Sequence, residues 1–235
     1  MRINAILALL FFVFITGCEE EQLSLRGLNS DVIYLTFDDG PDAVHTELIL
    51  DVLKQKNVQA TFFCLGKRIE THPEIIYRMV NEGHIVANHT YDHSVLTGLS
   101  NAALLENINK TENLIVQYTR QSPKLLRPPK GLISKEQKEF LIAQGYTVIM
   151  WDINPRDYDE DNDYLDLFYN ILKEVKAGEN IILLHDSDHK LEESRMATVY
   201  ALPVIIDDLT NKGYTFDVIN SKAFQVPSPS SFLFH

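Results

Sequence analysis

The chain has 235 residues, 45 % of them apolar and 23 % charged, the composition of one folded domain or two small ones rather than of a disordered or fibrous protein. Lys and Arg number 21 against 33 Asp and Glu, a formal charge of −12 that suits neither a phosphate-gripping surface nor electrostatic attachment to an anionic membrane. No nucleic acid is therefore expected as a partner, no protein partner is indicated, and two cysteines cannot build a disulfide framework.

Residues 1–17 read as a signal peptide. Arg2 precedes an apolar run, 5–15, that is shorter than the roughly 20 residues a spanning helix needs. Ile15-Thr16-Gly17-Cys18 resembles the bacterial lipobox, which implies acylation of Cys18 and a chain exported and lipid-anchored in the cell envelope. The membrane is then a partner through the anchor alone. Residues 18–30 are a polar tether, 31–222 one folded domain, and 223–235 a C-terminal tail.

Within 31–222 the pattern alternates between strand and helix. A β-branched and aromatic run at 32–37 ends in Asp-Asp-Gly-Pro, a strand followed by a turn. Helical periodicity follows over 46–56, a strand over 59–65, and a helix opening at Pro73 and ending at Gly83. Next come a strand at 84–88, a long helix at 101–118 and a strand at 125–127 stopped by Pro128-Pro129. A helix at 134–144 opens on Ser134 with Gln137 three positions on, the pattern of a capping box. Strands at 146–153, 180–184 and 214–219 and helices at 164–175 and 196–211 complete the series. Near-continuous apolar strands separated by helices imply a parallel sheet covered outside by helices. The fold class is α/β, a distorted (β/α)7 barrel in a single domain.

In such a barrel the site is built from the loops that follow the strands. Those loops carry Asp38 and Asp39, His89 and His93, Arg127, then Asp152, Asp157 and Tyr158, and last His185 and Asp186. Two histidines four apart lie on one face of a helical turn, a spacing suited to one metal ion. With one carboxylate they make a three-ligand set with an open position, the catalytic arrangement for zinc. The second carboxylate can then act as general base, because a divalent ion lowers the pKa of water to about 7.

The ordered motifs Thr36-Phe37-Asp38-Asp39-Gly40, His89-Thr90-Tyr91-Asp92-His93, Arg127-Pro128-Pro129-Lys130-Gly131 and Leu183-Leu184-His185 resemble those of the polysaccharide deacetylase family, the NodB-homology group or carbohydrate esterase family 4. The resemblance implies metal-dependent removal of N- or O-acetyl groups from an acetylated glycan. It implies Asp38 as general base, His185 as general acid, and Asp39, His89 and His93 as ligands. One divalent ion is implied, Zn2+ first, with Co2+, Mn2+ or Ni2+ as alternatives. Arg127 resembles the arginine that orients the base, Asp157 the carboxylate that orients the acid, and Leu183 the apolar wall around the acetyl methyl. In the Lys130-Gly131 turn, the Lys130 N–H is the candidate oxyanion donor, since prolines have none.

The chain departs from the family at Lys130, where an aromatic is usual, and at Asn154 and Tyr158, where Asp and Trp are usual. Those departures bear on substrate fit. Two other readings stay open: a related barrel hydrolase acting on another amide, such as a cyclic imide, and a glycan-binding surface lipoprotein without activity.

Asp157, Asp159, Asp161 and Asp163 alternate like a calcium loop, but Asn162 and Phe168 stand where Gly and Glu are needed, so a solvated acidic loop is expected. Cys64 lies in an apolar run and is expected in the core. His45, His72, His84, His189 and His235 lack a second ligand at useful spacing and are expected to be structural.

Overall fold

A computed structural model describes residues 31–190 and 194–220. The expected signal peptide, Cys18 anchor, tether and 223–235 tail lie outside the described residues.

Seven parallel strands form one sheet: β1 (Val32–Asp38), β2 (Thr61–Cys64), β3 (Ile85–Asn88), β4 (Leu125–Leu126), β5 (Thr147–Val148), β6 (Glu179–His185) and β7 (Thr215–Phe216). Six run in the order β5-β4-β3-β2-β1-β6. Every residue of β1 is buried, because the strand lies mid-sheet under helices. One side of β1 pairs with β6 along its whole length. Its other side divides: Val32 and Ile33 pair with β7, and Thr36 to Asp38 with β2.

The helices are α1 (His45–Lys56), α2 (Gly66–Thr71), α3 (Pro73–Asn81), α4 (Asn101–Thr119), α5 (Lys135–Ala143), α6 (Tyr164–Leu172) and α7 (Met196–Asn211). Ser134 caps α5 in the expected capping box with Gln137, and Asp163 caps α6, accepting from the Leu165 and Asp166 amides. One face of β1 (Ile33, Leu35, Phe37) joins Phe62, Cys64 and the apolar faces of α1, α3 and α7 in the main core. Each Leu, Ile or Phe fully buried there contributes about 1.5–3 kcal/mol. Cys64 belongs to this core as expected, and burial pushes its thiol pKa up.

Three differences from the sequence reading matter. The strand expected over 146–153 pairs only at Thr147–Val148. Beyond it Ile153 forms a single parallel bridge with Ile182 of β6. The barrel is thus closed by one bridge rather than by a ladder. The last strand is Thr215–Phe216 rather than 214–219, and α2 is a short helix that periodicity did not announce.

Register sets the site. Asp38 pairs with His185 and Phe63, Cys64 with Asn88, and Asn88 with Leu126. The C-terminal ends of β1, β3, β4 and β6 are therefore level. The residues that follow them converge on one mouth.

Candidate active site

A cavity of about 370 Å³ opens at that mouth, lined among others by Asp38, Asp39, His89, His93, His185 and His189. Thr36 and Asp38 lie two apart on β1, so their side chains share one face of the strand. Arg127, fully buried after β4, donates from Nη1 to both, at 2.8 Å to Thr36 Oγ1 and 2.7 Å to Asp38 Oδ1. Its Nη2 donates to the Met150 carbonyl at 3.1 Å, and its plane lies 4.2 Å from the Phe63 ring centroid. Burial lowers the Arg127 pKa, against the pull of Asp38.

Asp39 adopts a left-handed backbone at φ 78°. The turn behind it depends on Gly40, whose N–H donates to Asp186 Oδ1 at 3.0 Å. A Cβ on Gly40 would sit 2.0 Å from Asp186 Oδ2. Asp186 also accepts from Thr46 Oγ1 at 2.6 Å. Burial drives Asp186 up to about 7, helped by Asp39 and opposed by the Thr46 and Gly40 bonds.

His89 and His93 meet the cavity, but not on a helix. The segment is a loop with left-handed Thr90 (φ 71°) and His93 (φ 65°), which corrects the expected helical turn. Buried Asn88 shapes it, accepting from the Thr90 amide at 2.9 Å and donating to the Ile108 carbonyl at 2.9 Å. Left-handed non-glycine residues cost about 1–3 kcal/mol each and persist where the surroundings over-determine them.

The three expected ligands fit a cation. Asp39 Oδ1 is buried and has no hydrogen-bond partner. His89 Nε2 lies 3.5 Å from it and His93 Nε2 3.4 Å. His89 Nδ1 faces the Arg127 carbonyl at 2.8 Å, a bond that calls for a proton on Nδ1 and turns Nε2 toward Asp39. Burial, then the neighbouring His89, His189, Lys130 and His185, push His93 down to about 3, so its ring is neutral. A buried, partnerless carboxylate oxygen facing two imidazole nitrogens is a candidate ligand set.

Opposite stands His185, whose Nδ1 meets Asp157 Oδ1 at 2.7 Å. Asp157 Oδ2 accepts from the His185 amide at 2.7 Å and from Thr198 Oγ1 at 2.9 Å. Burial would lower the His185 pKa, but Asp157, with smaller help from Asp39 and Asp38, raises it to about 9. Burial likewise works against the Asp157 carboxylate, while His185 and Arg195 hold its pKa low. The Tyr158 ring meets His185 edge-on at 5.7 Å.

Leu183, Lys130, Asn154, Trp151 and Tyr158 also line the cavity. Lys130 is left-handed at φ 58°. The Gly131 N–H donates to the Pro128 carbonyl at 2.9 Å, which leaves the Lys130 N–H as the turn's candidate donor. Gly131 itself makes room, since a Cβ there would lie 2.8 Å from the Trp151 ring. Asp152 faces away, accepting from the Ile181 amide at 2.8 Å. Asp161 and Asp163 are exposed, as expected of a solvated loop.

Among the other histidines, His84 is structural as expected, its Nδ1 accepting from the Ala60 amide at 3.0 Å. His45 bonds Asp42 at 3.0 Å and His72 lies 3.3 Å from Glu74; His235 lies outside the described residues. His189, expected to be structural, lines the cavity. Asp39, His93 and His189 each offer one donor atom, all within 4.8 Å of one another. Nothing in its spacing announced this, because the residues that place His189 are distant in sequence.

A helix-covered parallel barrel whose strand ends assemble a carboxylate–imidazole cluster able to hold a metal ion, a second carboxylate and a carboxylate-backed histidine has the architecture of a hydrolase. The chain belongs to the polysaccharide deacetylase family, whose profile matches residues 26–149. It is 36 % identical over 193 residues to a peptidoglycan-N-acetylglucosamine deacetylase of Bacillus cereus, a match covering 82 % of this chain and 68 % of that protein. The crystal structure of the Bc1960 peptidoglycan N-acetylglucosamine deacetylase superposes with a TM-score of 0.77 at 36 % identity, over 81 % of this chain and 87 % of that one. A family 4 acetyl xylan esterase from Clostridium thermocellum, in complex with a cobalt ion, superposes with a TM-score of 0.72 at 33 % identity, over 80 % of this chain and 87 % of that one.

Proposed function

We propose that this chain hydrolyses N-acetyl groups of an amino-sugar glycan and releases acetate. The observation that carries the reading is one cavity holding the partnerless Asp39 Oδ1 beside two imidazoles, with Asp38–Arg127 and His185–Asp157 around it.

Asp39, His89 and His93 would hold one divalent ion, and Zn2+ suits their oxygen and nitrogen donors. When bound, the ion polarises the acetyl carbonyl and lowers the pKa of water. Asp38 takes the proton from the attacking water at Oδ2, because Arg127 holds Oδ1. The Lys130 N–H would stabilise the developing oxyanion. Leu183, 4 % exposed, offers the acetyl methyl an apolar wall. His185 gives a proton to the departing nitrogen from Nε2, since Nδ1 is held by Asp157. An amine is a poor leaving group until protonated, so a charged imidazole at His185 favours N-acetyl over O-acetyl substrates.

The test is acetate release by purified protein loaded with Zn2+, Co2+ or Mn2+. N-acetylglucosamine oligomers, peptidoglycan and acetylated xylan form the panel. No acetate from any of them sinks the reading.

We further propose export and lipid anchoring at Cys18 in the cell envelope, with 31–222 as the catalytic domain. The lipobox-like Ile15-Thr16-Gly17-Cys18 and the apolar run before it support this. Labelled fatty acid should enter the wild type and not Cys18→Ser. Equal labelling of both ends the anchor proposal.

A further inference from the structure

We propose that His189 is a fourth protein ligand to the divalent ion, added to Asp39, His89 and His93. The inference rests on the reading that these three residues hold an ion.

Geometry supports it first. His189 Nδ1 lies 3.8 Å from Asp39 Oδ2, on the carboxylate whose Oδ1 faces His89 and His93 at 3.5 and 3.4 Å. Two donors each about 2.1 Å from one ion stand roughly 3.4 Å apart, so the His89 and His93 separations are near a coordination edge and that of His189 is somewhat wider; an ion that expands to five positions keeps one for water beside four protein ligands. The His189 ring also stacks on His93, centroids 4.3 Å apart at 25°. An N–H···O hydrogen bond spans about 2.7–3.2 Å, and the Nδ1 contacts to Asp39 (3.8 Å) and Asp188 (3.3 Å) both exceed it. Both contacts are within ion-pair reach, and Asp39, His93 and His189 each offer a donor atom within 4.8 Å of one another, close enough to share one cation.

The segment that presents His189 is fixed from behind. Arg68, on α2, is 5 % exposed, and its Nη2 donates to the Asp188 carbonyl. Arg195, 3 % exposed, donates from Nε to the Ser187 carbonyl at 3.1 Å. Two buried guanidiniums thus tie the two carbonyls just before His189. Asp188 Oδ1 stands between them and the imidazole, 3.9 Å from Arg195 Nη2 and 3.3 Å from His189 Nδ1. A surface histidine free to take any rotamer would need none of this support.

A further ligand tightens the ion and changes its coordination. Apo protein, prepared by dialysis against a chelator, should be titrated with Zn2+ in competition with a chromophoric chelator, and with Co2+ by visible absorption. His189→Ala should weaken Zn2+ at least tenfold and alter the Co2+ ligand-field bands, with free imidazole restoring them in part. On the wild type, 15N NMR of histidine-labelled protein should show a His189 ring nitrogen shifting with those of His89 and His93 as Zn2+ is added. That readout does not depend on whether the variant folds. An unmoved His189 signal, or a Zn2+ affinity within twofold of wild type in a folded His189→Ala, overturns the proposal while leaving the three-ligand centre standing. If His93→Ala also binds Zn2+ as the wild type does, the centre itself is wrong.

Discussion

Arg127 Nη1 lies 2.7 Å from Asp38 Oδ1, with both side chains closed to solvent. The pair is the reason the two adjacent carboxylates differ. Asp38 is tied to a guanidinium, and Asp39 Oδ1 is left for a cation. One carboxylate therefore handles protons and its neighbour the ion.

Asp38→Asn should reduce acetate release by about 10²–10⁴-fold, the range for losing a general base. The ion should stay bound at one per chain, measured by mass spectrometry after dialysis. Loss of stoichiometric metal would make Asp38 a ligand instead. Arg127→Leu leaves a buried carboxylate without its partner and should cost about 3–5 kcal/mol, read as a lowered midpoint in urea denaturation.

The His185–Asp157 pair predicts a titration. In chelator-treated protein the His185 ring should titrate near 9, against an ordinary 6.5, because Asp157 overrides the effect of burial. A histidine pKa raised by folding contributes stability fully present below 6.5 and lost as pH rises through about 9. Asp157→Asn should bring the NMR-observed pKa down and remove that pH-dependent part of the stability. An unchanged His185 titration in the variant would show that Asp157 does not set its charge.

Much of this site was legible because its chemistry follows strand ends, and buried parallel strands read as short apolar runs. Asp38, Asp39, His89, His93, Arg127 and His185 are found that way. What was not legible depends on partners far along the chain. The run at 146–153 reads as one strand, yet only Thr147 and Val148 find partners on β4, which Pro128 and Pro129 cut short. The histidines at 89 and 93 have helical spacing, but Asn88 and two left-handed residues fold them as a loop. His189 has no local signal, since Arg68, more than a hundred residues earlier, helps to place it.

Gly40→Ala tests the support of the first carboxylate pair. Its Cβ would fall 2.0 Å from Asp186 Oδ2, inside any real contact distance, and Asp186 is held by the Thr46 hydroxyl. Either the Asp39 turn or Asp186 must move. Overpacking of this kind costs about 1–3 kcal/mol, and the shift should also weaken metal binding, both readable from thermal melts with and without Zn2+. A variant that melts and binds like wild type would remove Asp186 from the set of residues that position Asp39.

Metal removal should destabilise the protein itself. Without a cation, Asp39 Oδ1 is buried without a hydrogen-bond partner, facing His89 Nε2 and His93 Nε2. A buried polar atom left unpaired costs about 1–3 kcal/mol. An ion binding only the folded state should add about 2.7 kcal/mol at a hundredfold excess over its dissociation constant. Thermal melts of chelator-treated protein should therefore rise on adding Zn2+ and fall again with chelator. Asp39→Asn should abolish most of that rise, because an amide is a poor ligand. It should also melt no lower than the metal-free wild type, because the buried charge is gone. A Zn2+-dependent rise that survives in Asp39→Asn would place the ion elsewhere.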